Sequence, residues 1–350
     1  MTSLAPKARS FKSESELEAF MSTPSERIVN LMKRLEGDIA ILGIAGKVGV
    51  TLGMMAVRAI RAAGLDKKVY GISRFSDPAS RAKLDALGIT TIACDLLDGA
   101  SVDKLPFAKN VIFMAGRKFG TVGAQDLTWA TNTVTPVNVA KRFASSSIVA
   151  YSTGCVYDFA SPHSGGSTEK DDPKPVGEYA QSALGRERVF EYCSRTAGTP
   201  ICLFRLNYAI DLRYGVLCDI AAKVYAGEPV DLSVGSFNCI WQGDVLERTL
   251  LSLELCSSPP TAINITGPET VSVRWAAEEF GLRFGRRPLF AGIERSEASG
   301  YLSNSAKSIG LFGYPSVSLS EMVDMVADWI AAGGTSLGKP THFESTDGNY

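Results

Sequence analysis

The chain has very little histidine and almost no net charge. Only two of its 350 residues are histidine, His163 and His342, which argues against a histidine-rich metal site and against a catalytic histidine. The 36 Lys and Arg side chains nearly balance the 37 Asp and Glu side chains, giving a net charge of −1. This balance argues against a basic nucleic-acid-binding surface. We therefore expect neither a bound metal nor a nucleic-acid partner.

Patterns typical of export and membrane insertion are also lacking. The seven cysteines are odd in number and form no C-x-x-C pair, which favours free thiols in a reducing cytoplasm. Met1–Ser15 has no apolar signal core. The apolar stretch Ile39–Val57 is interrupted by Lys47 and by four glycines, which indicates strand, turn and helix rather than a membrane span. We expect a cytoplasmic protein that does not enter a membrane.

Runs that are apolar throughout alternate with helical patterns along most of the chain. Strands are predicted at Ile39–Ile44, Lys68–Ser73, Ile89–Ala93, Asn110–Met114, Ser147–Ser152 and Pro200–Leu206. Helices are predicted at Val48–Ala63, Pro78–Leu87, Asp126–Phe143 and Glu178–Arg195. This alternation predicts an α/β fold with a doubly wound parallel sheet.

Three glycines stand where the first predicted strand meets the first predicted helix. Gly43, Gly46 and Gly49 are separated by two residues each. Glycine at such a junction allows a tight turn, close approach of the backbone to a pyrophosphate, and close packing of helix on strand. The helix N-terminus then offers free N–H groups to the phosphates. We predict a dinucleotide site at these glycines, with Lys47 and Val48.

The ends of the next two strands bear on which dinucleotide binds. Ser73 and Arg74 stand where an acidic residue would hold the ribose 2′-hydroxyl of NAD. Arg74 instead suits the 2′-phosphate of NADP, and Lys47 adds positive charge nearby. Asp95 and Leu96 follow the third strand, where the adenine ring would lie. We favour NADP slightly and leave NAD open.

The pattern becomes less regular after Asn207, which indicates a smaller second part. It contains predicted helices at Cys218–Ala226, Asp244–Cys256, Val273–Gly281 and Ser320–Ala332, and strands at Asn238–Trp241 and Ala262–Ile265. We divide the chain into a helical extension (1–37), a dinucleotide-binding domain (38–206), a substrate part interleaved with the last sheet strands (207–332) and a tail (333–350). The tail is either loose or an arm that docks elsewhere.

Several motifs in the same order resemble the extended short-chain dehydrogenase/reductase superfamily, the NAD-dependent epimerases and dehydratases. Beside the glycine spacing, NVIFMAG and NTVTPVNV resemble its fourth strand and its NVxGTxNV helix. YSTGCVYD, EYAQSALGRE and FRLNYAI resemble SSxxVYG, YxxSKxxxE and LRxxNVYG, and NSAKSIGLFGYP resembles DxSKAxxxLGWxP. The resemblance runs from about residue 38 to 332. It implies a Rossmann sheet with a smaller C-terminal substrate domain.

The resemblance also implies roles for individual residues. It makes Tyr179 the catalytic tyrosine, Thr153 the group that holds the substrate hydroxyl, and Asn207 a substrate contact. Lys118, in AGRKFG, resembles a lysine after the fourth strand of UDP-galactose epimerases. Contacts to the cofactor are implied at Ala115, Gly116, Asn132 and Tyr179.

One departure from these motifs affects the catalytic tyrosine. The lysine of YxxxK, whose charge lowers the tyrosine pKa in that family, is Ala183 here. We take Lys118 as the replacement cation, and expect Arg186, about two helical turns from Tyr179, to be less able to reach. The alternative is that Lys118 only touches cofactor phosphate.

A second departure affects the substrate. Phe237 stands where nucleotide-sugar enzymes of the superfamily often carry an arginine that grips the diphosphate, and a phenyl ring cannot replace that contact. A free sugar, a sugar acid or another small polyol fits equally well. Asn238, Trp241 and Gln242 are candidates for lining the substrate pocket, with packing or capping as the alternative.

These observations predict an oxidoreductase that acts on a carbohydrate-like substrate. Thr153 would hydrogen-bond a hydroxyl and Tyr179 would remove its proton while hydride passes to the cofactor. Dehydrogenase, epimerase and dehydratase outcomes all remain open. Because Ala183 lacks the expected charge, a non-catalytic NAD(P)-binding sensor or scaffold is the alternative. The resemblance also implies a homodimer formed through the helices predicted at Asp126–Phe143 and Glu178–Arg195.

Overall fold

The computed structural model describes residues 9–118, 120, 123–294, 300–345 and 348. In these residues the strands of the main sheet are β1 (Ile39–Leu42), β2 (Val69–Ser73), β3 (Thr90–Ala93), β4 (Asn110–Phe113), β5 (Ser147–Thr153), β6 (Ile201–Leu206) and β11 (Thr261–Ile265). Short strands outside this sheet are β7 (Ala209–Ile210), β8 (Pro229–Asp231), β9 (Ser236–Phe237), β10 (Ile240–Trp241), β12 (Val271–Ser272) and β13 (Leu289–Ala291).

The helices surround this sheet and extend into the second half of the chain. Those of the first half are α1 (Glu14–Met21), α2 (Glu26–Arg34), α3 (Lys47–Ala62), α4 (Pro78–Ala86), α5 (Gly99–Asp103), α6 (Gln125–Trp129) and α7 (Thr135–Arg142). Those of the second half are α8 (Gly177–Ala197), α9 (Val216–Ala226), α10 (Gln242–Leu251), α11 (Val273–Phe284), α12 (Ala306–Phe312) and α13 (Leu319–Ala331).

Seven parallel strands form the central sheet in the order β11-β6-β5-β4-β1-β2-β3. β1 and β4 are buried along their whole length, as expected for strands covered by helices on both faces. Alternate residues enter different cores: Ile41 joins one apolar cluster and Leu42 the other. The predicted α/β fold with a doubly wound parallel sheet is confirmed.

The sheet order places β1 between β2 and β4. The chain therefore leaves β1 for one side of the sheet and returns on its other side, which makes the β1–β4 boundary a topological switch point. In open α/β sheets, ligands bind in the crevice at the carboxyl ends of strands at such a point. Gly43 follows β1 there, and Ala115 lies just beyond β4.

The helix predicted over Asp126–Phe143 is not continuous. A π-helical turn, Ala130–Val134, separates α6 from α7. Pro136 has no N–H to donate to the carbonyl four residues earlier, which disrupts the regular helical ladder at this point. The turn carries Asn132, whose side chain is fully buried.

The two ends of the chain pack on the main body. α1 and α2 lie against α3 and α10, and the segment 333–345, which we call the C-terminal arm, also docks. Thr341 and Phe343 of this arm are 1% and 2% exposed. The sequence left open whether the tail is loose or docks elsewhere. The described part of the tail is a docked arm.

Three further features of the described residues concern disulfide bonds, membrane spans and metal ligands. None of the seven cysteines, all of which are described, is in a disulfide bond. No described helix combines the length and the apolar character needed to cross a bilayer. Within the same residues, no group of His, Cys, Asp and Glu side chains is arranged to hold a metal ion.

Candidate active site

The glycine loop after β1 is shaped by close backbone contacts. Gly43 has φ +93°, and a Cβ there would lie 2.8 Å from the backbone nitrogen of Ala115. A Cβ at Gly49 would overlap the backbone of Ile44. Gly46 is the N-cap of α3 without a side-chain cap, so the first N–H groups of that helix stay available to an anion. These features fit a dinucleotide pyrophosphate.

A cleft of about 560 Å³ opens at this loop. Most of the residues predicted to contact the cofactor line it: Gly43, Gly46, Arg74, Asp95, Leu96, Ala115 and Gly116. Lys339 of the C-terminal arm lines it as well, which the sequence did not indicate. The Asp77 carboxylate also borders the cleft, but it caps α4 by accepting hydrogen bonds from the N–H groups of Ala79 and Ser80, at 3.1 Å each.

A second cavity, of about 270 Å³, adjoins the cleft and shares Met114, Gly116 and Arg117 with it. It brings together the three residues predicted to be catalytic, Thr153, Tyr179 and Lys118, and the predicted substrate contact Asn207; Lys47 and Val48 line it too. Thr153 ends β5 and Asn207 follows β6. The carboxyl edge of the sheet therefore supplies much of this cavity, which we call the substrate cavity.

Tyr179 and Thr153 form the central pair of the substrate cavity. Desolvation, aided by the nearby Cys155, raises the pKa of Tyr179 to about 12. The charge of Arg186 and a hydrogen bond with the Thr153 side chain act in the opposite direction and lower it. The tyrosine hydroxyl is therefore hydrogen-bonded to the Thr153 side chain, and the positive charge of Arg186 acts on it.

Arg186, which we expected to be less able to reach, lines the same cavity as Tyr179, and its charge lowers the pKa of the tyrosine. It lies seven residues after Tyr179 on α8 and therefore on the same helix face, and helical side chains lean towards the N-terminus. Its guanidinium donates to the carbonyl oxygen of Tyr151 at 2.9 Å and to Oδ1 of Asn132. Ala183, by contrast, is fully buried in an apolar cluster.

Lys118 and Lys47 both extend into the substrate cavity. Lys118 Nζ donates to the carbonyl oxygen of Thr341 at 3.3 Å and lies 6.0 Å from the centroid of the Tyr179 ring. Lys47 Nζ donates to the carbonyl oxygen of Ala209 at 3.2 Å and lies 3.7 Å from the centroid of the Tyr214 ring. The ammonium group of Lys47 is thus directed away from the cleft of Arg74, contrary to the expectation that the two charges act together.

Asn132 and Trp241, predicted to contact cofactor and substrate respectively, are instead buried among other protein groups. Asn132 borders neither cavity; it accepts from the N–H of Arg117 at 3.0 Å and donates to the carbonyl oxygen of the same residue at 3.1 Å. It therefore fixes the loop after β4 rather than touching a ligand. Trp241 is 2% exposed and packs against Phe20 of α1 with ring centroids 5.8 Å apart. A substrate contact for Trp241 is therefore wrong.

The candidate pocket residues beside Trp241 are also held inside the protein. Asn207 donates to Oδ1 of Asn238 at 2.8 Å and to the carbonyl oxygen of Tyr301 at 2.7 Å. Asn238 in turn donates to the carbonyl oxygen of Ser303 at 3.0 Å. Gln242 is fully buried away from the cavity. Of this group, only Asn207 lines the substrate cavity.

A buried ionic network supports the cavity floor. Arg205 on β6 pairs with Glu187 on α8 through two hydrogen bonds of 2.9 and 2.6 Å, and Glu187 also accepts from the hydroxyl of Ser152 at 2.5 Å. The network thereby ties α8, β5 and β6 together beneath Thr153. The sequence contained a signal for it, since Glu187 and Arg205 fall in the YxxSKxxxE-like and LRxxNVYG-like motifs.

The comparisons with known proteins agree with this geometry. Residues 39–210 match the model of the NAD dependent epimerase/dehydratase family. No curated protein matches the chain.

Many solved structures share the fold at low sequence identity. A UDP-glucose 4-epimerase from Thermotoga maritima, solved with UDP-glucose, is 16% identical, with a TM-score of 0.68 over 85% of this chain and 99% of that one. A Thermus thermophilus UDP-glucose 4-epimerase, solved with NAD, is 19% identical, with a TM-score of 0.67 over 83% and 98%. A variant UDP-glucuronic acid 4-epimerase from Bacillus cereus is 18% identical, with a TM-score of 0.68 over 84% and 99%.

The family model begins at β1 and extends through β7, so it includes the glycine loop, Thr153, Tyr179 and Asn207. Independently of this match, the sheet order and the two adjoining cavities place a cleft at the glycine loop and a smaller cavity beside it. Residues 39–210, which carry the glycine loop and the Thr153–Tyr179 pair, thus match the NAD dependent epimerase/dehydratase family.

Proposed function

We propose that the protein transfers hydride between a nicotinamide dinucleotide and a hydroxyl-bearing or keto carbon of a sugar or sugar-derived substrate. The observation that carries this proposal is the hydrogen-bonded Thr153–Tyr179 pair in a cavity that opens into the cleft of the glycine loop. A bound nicotinamide would accept or supply the hydride. The reaction itself can end in oxidation, epimerisation or dehydration.

The chain's own residues would handle the proton. Thr153 orients the substrate hydroxyl, and Tyr179 accepts its proton as general base or returns it as general acid. An unaided tyrosine is a poor base at neutral pH because its ordinary pKa is about 10. The buried guanidinium of Arg186 offsets part of the desolvation that raises the pKa of Tyr179 to about 12, and we therefore propose Arg186, rather than Lys118, as the cation that assists the tyrosine.

The size of the substrate cavity favours a small substrate. Its volume of about 270 Å³ lies just below the range of about 300–1,000 Å³ usual for sites of drug-sized ligands. Phe237 is buried in the apolar core and has no charge with which to bind a diphosphate. We therefore propose a free sugar or a small derivative in preference to a nucleotide sugar.

We propose NADP as the cofactor in slight preference to NAD. Arg74 lies exposed at the cleft beside Ser73, where it can meet a 2′-phosphate. Lys339 and Arg117 add further positive charge to the same cleft. Asp77, the acidic side chain nearest in sequence to Arg74, is already engaged in capping α4.

A redox assay of the full-length protein tests the proposal. The protein is loaded with oxidised or reduced NADP or NAD and mixed with a panel of free sugars, sugar acids and their keto forms, while the absorbance of the reduced nicotinamide is followed. We expect turnover with at least one class, and a fall of about 100-fold or more in Tyr179→Phe, the lower limit usual for loss of a general acid–base. The matched control is Tyr314→Phe, since Tyr314 is a surface residue, 76% exposed.

The alternative class gives a different result in the same assay. A sensor or scaffold would bind the dinucleotide tightly and show no redox change with any member of the panel. Turnover that is unaffected by Tyr179→Phe would show catalysis by other groups and would contradict the proposed mechanism.

A further inference from the structure

The C-terminal arm brings a lysine to the cofactor cleft from the opposite end of the chain. Lys339 is exposed and lines the cleft together with Gly43 and Gly46 of the glycine loop. The proton chemistry proposed above makes no use of this side chain. An ammonium group on a flexible four-carbon stem is well suited to contact a phosphate oxygen. Lys339 is therefore a candidate ligand contact, although it lies outside every sequence motif.

The arm is held to the main body on both sides of Lys339. Before it, the N–H of Leu337 donates to the carbonyl oxygen of Arg213 at 3.0 Å. After it, the N–H and hydroxyl of Thr341 donate to the carboxylate of Asp219 at 2.8 and 2.6 Å. Two separate elements therefore fix the short segment that carries the lysine, so its place at the cleft does not depend on a free end of the chain.

The residues beside Lys339 also restrict its backbone. Gly338 has φ +62°, a left-handed conformation that glycine adopts without steric cost. Pro340 follows, and a residue before proline is confined largely to extended conformations. The arm therefore turns at Gly338 and presents Lys339 on an extended stretch along the cleft.

The cleft itself is lined by more cations than carboxylates. Among its described residues the cations are Arg74, Arg117 and Lys339, and the carboxylates are Asp77 and Asp95. Both carboxylates already accept hydrogen bonds from backbone N–H groups, at 3.0–3.1 Å. A concave site lined mainly by one sign of charge attracts ligands of the opposite sign. The three cations come from three separate segments and favour an anionic ligand between them.

The glycine loop identifies the anion as a phosphate of the dinucleotide. α3 begins there without a side-chain cap, so its first N–H groups are available to phosphate oxygens. On the basis of the function proposed above, we propose that Lys339 binds a phosphate group of the nicotinamide dinucleotide and that the docked arm thereby retains the cofactor in its cleft.

The dinucleotide offers two kinds of phosphate to Lys339. The pyrophosphate is common to NAD and NADP, whereas the 2′-phosphate belongs to NADP alone. The cleft extends from the glycine loop, where we place the pyrophosphate, to Ser73 and Arg74, where we place a 2′-phosphate. A comparison of the two dinucleotides therefore identifies which phosphate the lysine meets.

Titration of the full-length protein with NADPH and with NADH tests the contact. Fluorescence of the reduced nicotinamide reports binding without any sugar substrate. We expect Lys339→Met to weaken binding about tenfold, because a hydrogen bond between charged groups contributes more than a neutral one, mainly through faster dissociation. Affinity should also depend less on salt, since one ionic contact is lost. The matched control is Lys170→Met, an exposed lysine that lines neither cavity.

The pattern of losses decides the result. Weaker binding of NADPH alone assigns Lys339 to the 2′-phosphate, and an equal loss with both dinucleotides assigns it to the pyrophosphate. Unchanged affinity and dissociation for both dinucleotides in Lys339→Met would overturn the inference.

A double-variant cycle tests whether the docked arm delivers the lysine. Phe343→Ala removes an apolar anchor that is 2% exposed but leaves the charge of Lys339 in place. If docking positions the lysine, Phe343→Ala alone should weaken dinucleotide binding, and adding Lys339→Met should have little further effect. Effects that simply multiply would overturn the role of the arm. Thr341→Val, which loses the 2.6 Å hydrogen bond to Asp219, takes the place of Phe343→Ala if that variant does not fold.

The same measurements separate this inference from the proposed reaction. Dinucleotide binding that is weakened in Lys339→Met, in a protein that turns over no sugar, supports the phosphate contact and rejects the reaction. Sugar turnover together with an unchanged dinucleotide affinity in Lys339→Met supports the reaction and overturns the contact.

Discussion

The charge of Arg186 acts on Tyr179, the proposed catalytic tyrosine, from further along α8 than that of a lysine at position 183 would. Position 183 is one helical turn from Tyr179, whereas Arg186 is two turns away and leans back along the helix. Gly116 makes room for it, because a Cβ there would overlap the guanidinium. Arg186 thus supplies a positive charge near Tyr179 although position 183 is alanine.

Replacing Arg186 should shift the pH dependence of hydride transfer. Because its charge lowers the pKa of Tyr179, Arg186→Ala should raise that pKa, so that oxidation of a hydroxyl substrate requires higher pH. A shift of about one unit corresponds to roughly tenfold slower oxidation at neutral pH. The measurement is the pH profile of single-turnover oxidation, with the cofactor affinity followed in parallel.

Two further variants make this comparison specific. Adding Ala183→Lys to Arg186→Ala should return the profile towards that of the wild type, because the charge is restored one turn from the tyrosine. Arg188→Ala is the matched control, since Arg188 is exposed on the same helix and, among the described residues, pairs with the carboxylate of Glu191. An unchanged profile in Arg186→Ala would show that this cation does not govern Tyr179.

At the scale of whole elements, the C-terminal arm connects the two cavities. Lys339 lines the cofactor cleft and Thr341 lines the substrate cavity. Asp219 on α9 holds Thr341, and Phe343 enters the main apolar core. The arm therefore completes the walls of both cavities from one short segment.

Loss of the Phe343 anchor should release the arm. Truncating a buried phenylalanine to alanine costs about 3–5 kcal/mol, which is more than the roughly 0.5–1.5 kcal/mol net contribution of an individual hydrogen bond. We expect faster hydrogen exchange in residues 338–345 of Phe343→Ala, a several-fold higher KM and a smaller effect on kcat. Leu337→Ala, in the same arm but 39% exposed, is the control. Unchanged exchange in Phe343→Ala would contradict the anchoring role.

The elements differ in how well the sequence predicts them. β1, α3 and α8 lie within two residues of the predicted bounds at each end, because buried apolar runs and helical spacing are local signals. The docking of the arm depends on isolated contacts of Thr341 and Phe343 with distant elements, which leave no periodic pattern. The π-helical turn likewise depends on how Pro136 changes one turn of an otherwise regular helix.

The same distinction holds for the candidate site. The positions of Thr153, Tyr179 and Asn207 follow from motifs at strand ends and on one helix, and these side chains do line one cavity. The direction of a long side chain is different, because it depends on rotamers and on neighbours from distant elements. For this reason the sequence did not predict that the charge of Arg186 acts on Tyr179, or that Lys47 Nζ donates to the carbonyl oxygen of Ala209.

For the whole molecule, we expect a homodimer formed through α6, the π-helical turn and α8. Apolar side chains are 36–62% exposed along these elements, at Leu127, Trp129, Val134 and Tyr192. Burial of such a patch is a common basis of association. Sedimentation equilibrium should give a dimer for the wild type and a monomer for the double variant Val134→Asp and Tyr192→Glu. A wild-type monomer, or a variant that remains dimeric, would place the interface elsewhere or remove it.

The proposed role of Tyr179 is tested by single-turnover hydride transfer in Tyr179→Phe. The variant keeps the ring but loses the hydroxyl that pairs with Thr153, so cofactor affinity should match that of the wild type and of Tyr314→Phe. We predict a rate lower by about 100-fold or more, in line with the loss of a general acid–base. An equal rate in Tyr179→Phe and wild type, at equal cofactor occupancy, would contradict it.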